Sequence, residues 1–161
     1  MIVRFAKLWM SPIWTRKSGS ALMRVLLFAM TGLLFASVVI AQDDSKTLEG
    51  TYALVGGEVK GEKIPESVLK ASSNINKGNK HTVHVGDDTI IGTHRLESTK
   101  TPKEIDSTDT EGSFKGQTYL GIYKLENGVW TVCFAAPGKD RPKEFTTKSG
   151  TGELMHVWKK K

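Results

Sequence analysis

The chain has 161 residues, with 23 Lys and Arg against 17 Asp and Glu, a formal net charge of +6 and one cysteine. The excess of base is local: Arg4, Lys7, Arg16, Lys17 and Arg24 precede Gln42 with no acid among them, leaving 18 basic against 17 acidic residues beyond it. A near-neutral remainder without a basic stripe excludes nucleic acid as the partner suggested by the whole-chain charge. A lone cysteine excludes an internal disulfide.

The basic segment runs into an apolar stretch over residues 25–40, which ends in Val39-x-Ala41. Basic region, apolar region and small residues at the cut together predict a secretory signal over residues 1–41, cleaved before Gln42. The product is then exported, to the periplasm or beyond, with no stable membrane insertion. The competing reading is an uncleaved anchor in the inner membrane, for which the run is slightly shorter than the ~20 residues of a spanning helix. Residues 42–161 make up one domain with enough chain for a core.

Residues 42–46 read as a loose polar leader. Residues 48–59 begin the fold: Tyr52 and Leu54 alternate with Thr51 and Ala53 as on a half-buried strand, and Gly56-Gly57 suggests a bend or bulge. Pro65 suits the first turn of a short helix carrying Val68 and Leu69, the one helical piece expected after residue 42. Short strands with turn punctuation follow. Asn74 to Asn76 lead to a Lys77-Gly78-Asn79 turn, and residues 81–85 and 89–96 flank a turn at Gly86-Asp87-Asp88. A polar loop with Pro102, a weak strand over 104–108 and a turn-rich loop over 109–115 come next.

The clearest element is the hairpin that follows. Residues 118–125 and 129–135 flank Asn127-Gly128, the pair that a type I′ turn favours because both central residues take positive φ. A two-residue turn sets Tyr123 opposite Val132, Leu125 opposite Trp130 and Gly121 opposite Phe134, all on one apolar face. Leu120, Lys124, Thr131 and Cys133 fall on the other, mixed face. A third strand is expected near Phe145, after Pro137-Gly138 and Arg141-Pro142, and a last strand over residues 153–158. Eight or nine short strands with little helix predict an all-β single domain, a sandwich or a closed antiparallel barrel; in a barrel the last strand pairs with the first.

Certain residues carry a family resemblance. Leu48-x-Gly50-Thr51-Tyr52 resembles the Gly-x-Trp opening of lipocalin-type barrels, with tyrosine in place of tryptophan. Gly121-Ile122-Tyr123, Val132-Cys133-Phe134-Ala135, Pro137-Gly138 and Arg141-Pro142 with Phe145 are similar to a small lipocalin-like family of exported proteins from planctomycete-type bacteria. The resemblance spans residues 47–158. It implies a lipocalin-like (calycin-type) barrel and no established activity, cofactor or catalytic residue.

Histidines are the residues with most chemical scope. Any even-length turn after residue 85 puts His81, Val83, Val85, Ile90, Gly92, His94 and Leu96 on one face, and an Asp87-Asp88 turn sets His81 opposite His94. Two imidazoles on an apolar face can take a metal, hold a ligand's polar group or sense pH. They can equally fill the core, and the want of a third ligand at suitable spacing favours that reading, so no metal is expected. His81-x-x-His84 is no metal motif, because residues three apart on a strand point to opposite faces. Arg141 is a candidate structural clamp, stacked on Tyr52, Trp130 or Trp158 at a barrel end. Cys133 has no activating base beside it. The sequence holds no nucleophile elbow, glycine-rich phosphate loop or His-Glu-x-x-His helix, so neither catalysis nor a cofactor is expected.

Two functions fit these features. One is an exported binding module whose barrel holds a small apolar or amphipathic molecule, with Tyr52, His81, His94, Tyr123, Trp130 and Phe134 as candidate ligand contacts. The other is an envelope or extracellular structural protein whose barrel is filled by its own side chains. The first expects a cavity on the order of a few hundred Å³, the second a plugged interior.

Overall fold

A computed structural model describes residues 43–161. The signal segment expected over residues 1–41 lies outside the described residues. Two short helices and nine strands follow in the order α1 (Asp44–Leu48), β1 (Gly50–Val59), β2 (Glu62–Lys63), α2 (Glu66–Lys70), β3 (Ser72–Lys77), β4 (Lys80–Val85), β5 (Asp88–Glu97), β6 (Lys103–Glu111), β7 (Thr118–Glu126), β8 (Val129–Phe134) and β9 (Leu154–Lys160). Each strand from β3 onward pairs antiparallel with the next, β1 pairs with β3, and β9 returns to β1. The result is a closed eight-stranded antiparallel barrel, with β2 added as a two-residue hairpin arm on the end of β1. Closure leaves β1 and β9 bonded to each other from Tyr52↔Lys160 to Val59↔Leu154.

Local chemistry sets the registers. Asn127 and Gly128 have φ of 52° and 76°, the type I′ geometry expected of this pair. The β7–β8 register accordingly matches Tyr123 with Val132, Leu125 with Trp130 and Gly121 with Phe134. In β1 the register skips between Leu54 and Gly56, so Val55 bulges outward at 49% exposure beside the glycine pair. Pro65 caps α2 from outside the helix instead of sitting in its first turn.

Three sequence expectations are corrected. Of the leader expected over residues 42–46, the described part from Asp43 onward is not loose: Asp44–Leu48 forms a helix, with Asp43 Oδ1 accepting from Ser45 N at 3.1 Å. No strand forms at Phe145, which lies in the long β8–β9 connection. That connection covers the outer face of β7 and β8, which is why Ile122 and Cys133 are buried although they point away from the barrel interior. Cys133 Sγ donates to the Thr146 carbonyl at 3.5 Å, beneath this cover. Lastly, the residues at 109–111 belong to β6, not to a loop.

The barrel is packed at one end and hollow at the other. At the packed end α1 closes the base. Leu48, fully buried, inserts among Tyr52, Leu54, Ile105, Tyr123, Trp130 and Trp158, and burying a leucine contributes roughly 1.5–3 kcal/mol. Asp44, 4% exposed, accepts from Lys103 Nζ and from the Tyr123 hydroxyl, each at 2.7 Å. Tyr52 and Lys160 both donate to the Thr47 carbonyl, at 3.4 and 3.2 Å. Side chains from four strands therefore hold one turn of helix across the base.

Candidate functional site: a barrel cavity with buried polar groups

The hollow end contains a cavity of about 570 Å³. Val83, Val85, Ile90, Val132, Phe134 and Leu154 give it a mostly apolar wall. Its rim is formed by strand ends and connections, with Lys60, Phe114, Gln117 and Pro137 among them. Lys60 is the one lysine or arginine in the lining, and it sits at the rim.

Within this wall a polar cluster crosses three strands. His81 on β4 pairs with Gly92 on β5, and Gly92 pairs with Asp109 on β6. His81 Nε2 lies 3.2 Å from Asp109 Oδ1, both side chains buried. A Cβ at Gly92 would overlap the His81 ring and the Thr108 carbonyl, so the bare glycine is what lets His81 span β5. His94 stacks on His81 with ring centroids 5.9 Å apart and planes 15° from parallel.

The shared face of His81 and His94 follows from the even-length turn, but the turn itself is Gly86-Asp87. Val85 pairs with Asp88, so His81 faces Gly92 and meets His94 diagonally, not directly. Gly86 has φ of 58°, and a glycine at the first central position suits a two-residue hairpin turn. His84 points outward, with Nδ1 3.0 Å from Thr89 Oγ1.

Burial, aided by the nearby His81 charge, lowers the His94 pKa to about 4; the Gly78 carbonyl works weakly the other way. That carbonyl is outside hydrogen-bonding geometry, and both ring nitrogens of His94 are buried without a partner among the described residues. His156, from β9, also faces the cavity, and burial lowers it to about 4. Its ring sits edge-on to Trp158 at 5.3 Å. Two further buried groups in the lining have no partner: Asn74 Oδ1 and Trp130 Nε1. Among the described residues no three His, Cys, Asp or Glu are grouped to hold a metal ion.

Of the six candidate contacts, His81, His94, Trp130 and Phe134 line the cavity. Tyr52 and Tyr123 belong to the packed base layer instead, where each hydroxyl is spent on α1. Burial, with the Asp44 hydrogen bond and charge added, pushes the Tyr123 phenol above its ordinary range, so it is a neutral donor. Asp109, Asn74, Ser107 and Tyr119 were not identified from the sequence. Their signal was a period of two: Ile105, Ser107 and Asp109 share a face, as do Ser72, Asn74 and Asn76.

Arg141 is a clamp, but not on an aromatic ring. Its guanidinium donates to the carbonyls of Ile105 and Gly121, paired residues on β6 and β7, and to Asp106 Oδ1. Burial would raise the Asp106 carboxyl, yet hydrogen bonds from Arg141 and Arg95 outweigh it and hold Asp106 low. The fork geometry of guanidinium suits this array of oxygens, which a ring face could not match. Arg141 thereby pins the β8–β9 connection to the barrel wall.

No protein-family model, curated protein or solved structure matches the chain.

Proposed function

We propose that residues 42–161, freed of a secretory signal, form an exported lipocalin-like binding module for one small, largely apolar molecule. The observation that carries this reading is the cavity of about 570 Å³ in a barrel whose other half is solidly packed. That volume falls within the ~300–1,000 Å³ usual for ligand pockets. An apolar void costs stability because its lining atoms lack contacts, and a ligand that binds only the folded state restores it. A structural role with a plugged interior accounts for the base layer and leaves the hollow half without a purpose. The lipocalin-like assignment draws on Leu48-x-Gly50-Thr51-Tyr52 at the head of β1 and on the sequential antiparallel order of the barrel. Catalysis, a cofactor and a metal form no part of this reading.

Native mass spectrometry of the protein recovered from its host's extracts tests the proposal. A retained small molecule is the expected result, together with enhanced fluorescence of the apolar probe N-phenyl-1-naphthylamine on addition of the protein. No retained mass and no probe binding would overturn it. N-terminal sequencing of the exported form is expected to begin at Gln42; an intact Met1 in the membrane fraction would favour the anchor instead.

A further inference from the structure

We infer that the ligand carries a protonated amine on an apolar body, and that Asp109 receives the amine. This deepens the binding reading above and rests on it. Asp44 is paired with Lys103, and half-buried Asp106 with Arg95 and Arg141. Asp109 is 7% exposed, yet among the described residues its one ion-pair partner is the His81 ring. A neutral imidazole gives a carboxylate one hydrogen bond and no charge. Oδ1 takes that bond, while Oδ2 has no hydrogen bond among the described residues and is not sealed off, unlike Asn74 Oδ1 or Trp130 Nε1. Among the described residues Asp109 is also the one carboxylate lining the cavity. A negative charge withdrawn from water costs stability until a cation reaches it.

The groups around Asp109 share its preference. Ser107 pairs with Tyr119 across β6 and β7, and Asp109 N donates to the Gln117 carbonyl, so these four residues stand on one face and line the cavity together. The Tyr119 hydroxyl is spent on Gln117 Oε1 at 2.9 Å. Burial, with the Asp109 charge added, pushes the Tyr119 phenol up, so that charge reaches the tyrosine. A His81 ring that donates Nε2–H to Asp109 keeps Nδ1 as a further acceptor. The Tyr119 ring meets Phe134 edge-on at 6.2 Å, and aromatic faces attract a cation. An anion finds none of this useful: Lys60, the one lysine or arginine in the lining, is exposed at the rim. A neutral head group would leave the Asp109 charge without a counter-ion. The apolar wall, from Val83 to Leu154, suits the aliphatic or alicyclic body of the amine.

Isothermal titration calorimetry with decylammonium, decanol and decanoate, each below its micellar concentration, tests the inference. A pH of 8 keeps an alkylamine protonated and an ordinary imidazole neutral. The wild-type protein is expected to bind decylammonium at least about tenfold more tightly than decanol or decanoate. In Asp109→Asn, checked for fold by circular dichroism, the ratio of decylammonium to decanol affinity is expected to fall about tenfold. Each ratio is taken within one protein, so neither affinity need match its wild-type value. Decanoate bound best, or all three bound alike, would overturn the inference and leave the binding reading intact. A ratio unchanged in the folded variant would overturn it too, because the preference would then arise elsewhere than at Asp109. If the variant does not fold or binds none of the three, the order of affinities in the wild-type protein decides. A wild-type protein that binds none of them and retains no native molecule would defeat the binding reading, and this inference with it.

Discussion

A Cβ placed on Gly92 would overlap the His81 ring, so His81 reaches Asp109 only because β5 presents no side chain between them. Gly92→Ala should therefore expel His81 from its place and break the contact with Asp109. Urea denaturation is expected to show a loss of about 1–3 kcal/mol, the range for overfilling a packed interior. Unchanged stability would mean that His81 has another place to lie. At this scale the face shared by His81 and His94 was legible, because strand alternation survives any even-length turn. Asp109 was not legible. It stands among Ser, Thr and Asp residues that look like turn formers, and only pairing with β5 and β7 draws them into a strand. Asn74 was hidden by inversion: β3 turns Asn74 and Asn76 inward and leaves Ile75 43% exposed, opposite to what hydrophobicity suggests.

Two elements hold the barrel from outside its ladder. The first is α1, whose Asp44 joins Lys103 and Tyr123 beneath the base. Asp44→Ala strips the buried Tyr123 hydroxyl and the partly exposed Lys103 of their shared partner and should cost about 2 kcal/mol in urea unfolding. Asp44→Asn keeps an acceptor for Tyr123 and should cost visibly less; equal losses would show that charge alone matters. The second is the β8–β9 connection pinned by Arg141. Burial, and then the Glu153 charge, pushes the Cys133 thiol up to about 11, and it lies under this cover. Because thiolate is the reactive form, native Cys133 should be inert to dithionitrobenzoate at pH 8. Arg141→Ala should expose it and speed modification at least tenfold. Equal rates in the two proteins would mean that the connection stays in place without its arginine.

The whole molecule titrates through its interior. His94 and His156 have pKa values of about 4 in the folded barrel, against 6.5 as the ordinary value. Between those limits the unfolded chain takes up protons that the folded chain refuses, so stability must fall as pH drops from 6.5 towards 4. Above about pH 6.5 the histidine contribution is fully present and flat. The slope within the window is on the order of 1.4 kcal/mol per pH unit for each histidine. Urea midpoints at pH 7, 5.5 and 4.5 will trace it, and His94→Phe should remove one histidine's share. A level profile would show that both rings accept protons in place.

By itself the sequence determined what depends on neighbours along the chain. Asn127-Gly128 dictated a two-residue turn, and with it the β7–β8 register and the apolar face of Tyr123, Trp130, Val132 and Phe134. The density of short strands and turn residues dictated an all-β domain, a sandwich or a barrel, and the β1–β9 pairing decided for the barrel. What required the tertiary structure was every property of an enclosed space. A polar leader becomes a helical plug because a barrel base is there to receive Leu48 and Asp44. Arg141 finds carbonyls and carboxylates because β6 and β7 present them side by side. The division between packed base and hollow end depends on how side chains from eight strands meet at each level, and no local pattern encodes that sum. Burial then decides the chemistry. A histidine in an open chain titrates in the ordinary range, whereas burial in the barrel wall lowers His94 and His156 to about 4.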